Sequence, residues 1–76
     1  MNPVGPLKSK TAAVLAFIQE FIAANRYPPT IREITEGCDL SSTSVATYQL
    51  DILEHRGLII RYRGKARGIR LTSEGG

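Results

Sequence analysis

The chain has 76 residues with ten Lys and Arg against seven Asp and Glu, a net charge of +3. That length fits one small domain, and a domain so short buries only about 60% of its unfolded surface, so its core is small. The longest apolar stretch, Ala12 to Ile18, is too short to span a bilayer, which excludes a helical membrane protein. Residues 1 to 10, MNPVGPLKSK, lack the basic start, apolar centre and cleavage site of a signal peptide, so an intracellular, cytoplasmic protein is expected. The single cysteine, Cys38, cannot close an internal disulfide, and with one histidine, His55, it cannot make a four-ligand zinc site. No metal, cofactor or small-molecule substrate is implied.

Residues 1–8 hold Pro3, Gly5 and Pro6 without periodicity and read as a flexible arm, followed by one domain over 9–72 and a tail over 73–76. The first helix is expected from Ser9 or Lys10 to Ala24, where Val14, Leu15, Ile18, Phe21 and Ile22 form an apolar stripe that Phe17 widens. It must end before Pro28 and Pro29, because proline disfavours helical angles in the preceding residue and cannot donate a backbone hydrogen bond. Thr30 followed by Glu33 is a capping-box signal for a second helix, on which Ile31, Ile34 and Cys38 share a face. Gly37 and Asp39 close that helix, either being able to take the left-handed conformation of a sharp turn, and Leu40 is the turn's buried residue.

Ser42 is the expected cap of a third helix that runs to about Arg56 and stops at Gly57. At 100° per residue, Ala46, Leu50 and Leu53 lie within about 60° of one another and form the packing face. The opposite face carries Ser44, Thr47, Tyr48, Asp51 and His55, with hydroxyls and no Lys or Glu in its first two turns. After Gly57, Leu58 to Tyr62 is rich in strand formers, RGKARG is a glycine-punctuated loop, and Ile69-Arg70-Leu71 resumes a strand. The whole is mostly α with a small β-hairpin, a three-helix winged helix-turn-helix.

Charge is unevenly placed. Six of the ten basic residues lie in the last 21 positions, whereas six of the seven acids lie at or before Glu54, a footprint expected of a polyanion binder. The expected partner is double-stranded DNA, with Ser42, Ser44, Val45, Thr47 and Tyr48 reading bases in the major groove. Thr30, Arg32 and Thr43, and the wing residues Arg61, Arg63, Lys65 and Arg67, are expected to hold the phosphate backbone. The reading positions offer no Arg, Lys or Asn for bidentate base contacts, so specificity per copy is modest and a homodimer on two half-sites is expected. The alternative is a winged-helix protein-protein interaction module using an apolar patch of Tyr48, Val45 and Ile52. RNA is disfavoured, since Tyr48 and Tyr62 are the only nearby stacking aromatics. Enzyme motifs are absent, and eleven residues along one helix hold Ser44 and His55 about 16 Å apart, too far for a nucleophile and base.

From Lys10 to Leu71 the chain resembles the N-terminal DNA-binding domain of the LexA repressor family of the bacterial SOS response. The resemblance is carried by PPTIREI opening helix 2, SSTSVATYQL opening helix 3, LEHRGLI leaving it and RGIRL in the second wing strand. It implies the winged fold, helix 3 as reader, repressor function and a bacterial or phage setting, and it places Ser42, Ser44, Val45, Thr47 and Tyr48 in the family's base-contacting stretch. Cys38-Asp39 replaces the Leu-Gly usual in the family's turn. The self-cleaving peptidase domain that also makes the family's dimer is not among these 76 residues. Two alternatives stay open: a fragment ending where an inter-domain linker begins, or a stand-alone regulator that dimerises otherwise.

Overall fold

A computed structural model describes residues 7–72; residues 1–6 of the arm expected over 1–8, and the tail over 73–76, lie outside them. The elements follow the chain as α1 (Ser9–Asn25), α2 (Ile31–Gly37), α3 (Thr43–His55), β1 (Ile59–Arg61) and β2 (Ile69–Leu71). Leu7, assigned to the arm from the sequence, packs against the core instead.

Each helix stops for a local reason. Arg26 turns left-handed after α1, at φ 69°, and its amide donates to the Ile22 carbonyl. At the end of α2, Leu40 N–H donates to Thr35 O at 2.8 Å and Asp39 N–H to Glu36 O at 3.2 Å, the paired bonds of a Schellman motif with Asp39 left-handed at φ 55°. Of the two residues expected to close this helix, Asp39 makes the left-handed turn. Gly37 is instead the last helical residue, where a Cβ would overlap the Phe17 ring, so the missing side chain lets α2 approach α1. The same motif ends α3 with Gly57 at φ 76°, its amide on Glu54 O and that of Leu58 on Leu53 O.

The core lies where the three helices meet the inner face of the hairpin: Val14, Ile18, Ile34, Ala46, Leu50, Leu53, Ile59 and Ile69 are buried. Leu15, Phe17, Ile22, Ile31, Cys38 and Leu40 pack around it half-buried, so Leu40 is a flank of the core rather than its interior. One buried polar contact crosses it, the Thr11 hydroxyl donating to Gln49 Oε1 at 2.5 Å. The hairpin is antiparallel, with Ile59 opposite Leu71, Ile60 opposite Arg70 and Arg61 opposite Ile69. Alternation along the strands turns Ile59, Arg61, Ile69 and Leu71 inward and leaves Ile60 and Arg70 exposed. No helix of the described residues is long and apolar enough to cross a membrane.

Candidate nucleic-acid interface

Helix α3 is set by its buried side. Ala46, Gln49, Leu50 and Leu53 face the core, which leaves Ser44, Tyr48, Asp51 and His55 exposed, Tyr48 to 63%. Thr47 and Val45 stand half-buried at the edges of that face. The Ser42 hydroxyl accepts from Val45 N–H at 3.3 Å and so caps the helix, while the Thr47 hydroxyl donates back to the Thr43 carbonyl at 2.9 Å. Hydroxyls used in this way keep acceptor lone pairs for an outside donor. The first two turns of α3 therefore present an exposed, uncharged face of oxygen atoms and one aromatic ring.

The backbone-holding candidates fall into two groups. Thr30 closes the capping box of α2, its hydroxyl accepting from Glu33 N–H at 3.1 Å while its own amide donates to Glu33 Oε1 at 2.9 Å. Arg32 and Thr43 are exposed, at the starts of α2 and α3. On the wing, Lys65 is exposed and makes no ion pair among the described residues, but the three arginines are engaged. Arg61 donates to Asp51 Oδ1 at 2.6 Å, with only 9% of its side chain exposed. Arg63 donates to Glu54 Oε1 at 3.3 Å. It lies past the end of β1, in the glycine-punctuated loop.

Arg67 makes the densest set of contacts. Nη1 donates to Glu33 Oε1 and to the Pro28 carbonyl, each at 2.8 Å, and Nη2 donates to Glu33 Oε2 at 3.1 Å. The guanidinium carbon sits 4.5 Å from the centre of the Tyr27 ring, which is itself edge-on to Phe21. The hydrogen bond from Arg67 is the main reason the Glu33 carboxyl is held below the usual range, reinforced by the Thr30 amide.

The sequence reading did not find these acidic partners. A signal for two of them exists: Arg61 and Arg63 are two apart at the end of the expected strand, and Asp51 and Glu54 are three apart, on one side of a helix. Glu33 and Arg67 are 34 residues apart and nothing local connects them. Burial raises the Cys38 thiol above its ordinary value, so at neutral pH it is a protonated, packing side chain. No group of three or more His, Cys, Asp or Glu among the described residues could hold a metal ion.

The family described as the LexA DNA binding domain matches residues 4–68. Among curated proteins, the chain is 46% identical over 73 residues to a LexA repressor of Roseiflexus sp., covering 96% of this chain and 34% of that protein. It is 46% identical over 68 residues to the LexA repressor of Enterococcus faecalis, covering 90% and 32%, and 43% identical over 66 residues to LexA repressor 1 of Geobacter sulfurreducens, covering 87% and 33%. The chain thus spans about a third of the length of these relatives. With three helices, a paired hairpin and a match over residues 4–68, this chain belongs to the LexA DNA-binding domain family.

Proposed function

We propose that the chain binds double-stranded DNA sequence-specifically as the reading head of a LexA-like transcriptional repressor, in the cytoplasm of a bacterial or phage-infected cell. Helix α3 enters the major groove, with Ser42, Ser44, Val45, Thr47 and Tyr48 reaching base edges, and the wing lies along the phosphate backbone. The observation that carries this reading is the uncharged, exposed face on the first two turns of α3. Glu side chains, commonplace on outward helix faces, would be repelled by the phosphates flanking the groove and are missing there.

Lys65, Thr30, Arg32 and Thr43 hold phosphates directly. Arg61, Arg63 and Arg67 share their charge with Asp51, Glu54 and Glu33, and contribute chiefly by fixing where the wing stands. Base reading by hydroxyls and a valine methyl gives modest discrimination per copy, which two copies on paired half-sites multiply. Selection from a random duplex library tests this directly. The expected result is a recurrent half-site whose affinity falls steeply with salt; recovery of sequences without any common motif would refute it. Thr47→Ala is expected to change base preference at one position, whereas Lys65→Ala weakens all sequences alike and flattens the salt dependence by about 0.9 in log–log slope.

A further inference from the structure

We propose that Arg67 is a positioning residue rather than a phosphate ligand. With Glu33, Tyr27 and the Pro28 carbonyl it latches the wing loop to the start of α2, so that Glu33 and Tyr27 set DNA affinity without meeting DNA. The inference rests on the DNA-binding reading above and deepens it.

An arginine binds phosphate best through a planar fork of two parallel N–H donors. Here the Nη1/Nη2 edge is closed on the two oxygens of Glu33, a third hydrogen bond goes to Pro28 O, and one face of the guanidinium lies on Tyr27, which leaves only the Nε edge with open donors. A phosphate approaching Arg67 would meet a guanidinium already matched to a carboxylate and accompanied by its negative charge. Each contact is weak where water competes, but all three partners grip one rigid group, so they act together.

The tie has a mechanical purpose. A hairpin of three paired residues per strand is marginal on its own, and the loop from Tyr62 to Gly68 projects from it. Arg67, itself in that loop, ties it to Pro28 and Glu33 at the start of α2. At the other end, Glu33 Oε1 also accepts from Thr30 N–H, so one carboxylate closes the α2 cap and anchors the wing. The wing's Lys65 and the α2 phosphate holders Thr30 and Arg32 are thereby held in one frame, as simultaneous contact with a backbone requires.

Glu33→Gln separates the two duties, because glutamine still caps a helix at this position but offers one acceptor oxygen and no charge. Binding of a selected duplex over a salt series is measured for the native chain, Glu33→Gln, Arg67→Ala and the double variant. Each single change is expected to weaken binding about three- to tenfold, from the range of exposed ion-pair and cation–π strengths, with the salt slope unchanged. The double variant is expected to bind no more weakly than the worse single one. Unchanged or tighter binding by Glu33→Gln, together with a slope lowered by about 0.9 in Arg67→Ala, would overturn the proposal and make Arg67 a phosphate ligand. In the free protein, the Tyr62 amide, which donates to Gly68 O across the loop, is expected to exchange several-fold faster in both single variants, and unchanged exchange would refute the latch whether or not DNA binds. A native chain with no duplex preference would instead sink the DNA-binding reading and the effect on affinity with it, while the exchange measurement still reports on the contact.

Discussion

At the scale of single residues, Glu33 is the most informative side chain. Its carboxyl is held below its ordinary value of 4.5, chiefly by the Arg67 hydrogen bond and then by the Thr30 amide. Because the folded value is the lower one, its contribution to stability is complete above the unfolded value and is lost as pH falls through the folded one. Urea midpoints of the native chain and Glu33→Gln are therefore expected to converge as pH drops through that lowered value. Carboxyl resonances followed by NMR should place the Glu33 midpoint below 4.5, and Arg67→Ala should move it back up. Asp39 carries a different constraint, a left-handed backbone at φ 55° in the turn between α2 and α3. A β-branched residue there is strained, so Asp39→Val is expected to cost about 1–2 kcal/mol in urea unfolding, whereas Asp39→Gly holds or raises stability.

At the scale of elements, much was legible in the sequence because the governing interactions are local. The Thr30–Glu33 box, the Ser42 cap and the stop at Gly57 are each fixed by residues within five positions of one another, and all three form. The packing face of α3 followed from its period, and Ala46, Leu50 and Leu53 are fully buried. The wing was legible as a hairpin but not as an anchored one. Gly68 explains why its loop can close: the Tyr62 amide donates to Gly68 O at 2.7 Å, and a Cβ on Gly68 would overlap the Tyr62 carbonyl oxygen. Backbone cannot yield as a flexible side chain does. Gly68→Ala is thus expected to lower stability by about 1–3 kcal/mol and to weaken duplex binding, read by urea unfolding and by anisotropy with the same sample. At its counterpart Gly64, with φ 82° and open space about it, a side chain would find room but would strain the backbone.

At the scale of the whole molecule, the Cα extents are 32 × 26 × 23 Å. The two shorter extents leave room for side chains within the spacing of about 34–36 Å between half-sites one helical turn apart, so two copies side by side on one face of a duplex are expected. The expected outcome is a steeper isotherm on paired half-sites at that spacing than on a single one, and binding that is equally shallow on both would argue against pairing on DNA. The sequence by itself determined the helices, their caps, the hairpin, the face of α3 that turns outward and the count of charges, since each depends on neighbours in the chain or on a fixed period. Only the tertiary structure decided which charges remain available. Arg61, Arg63 and Arg67 meet Asp51, Glu54 and Glu33 because folding lays the wing against α3 and the start of α2. A Coulomb partner is chosen by distance in space, to which a tally along the chain is blind.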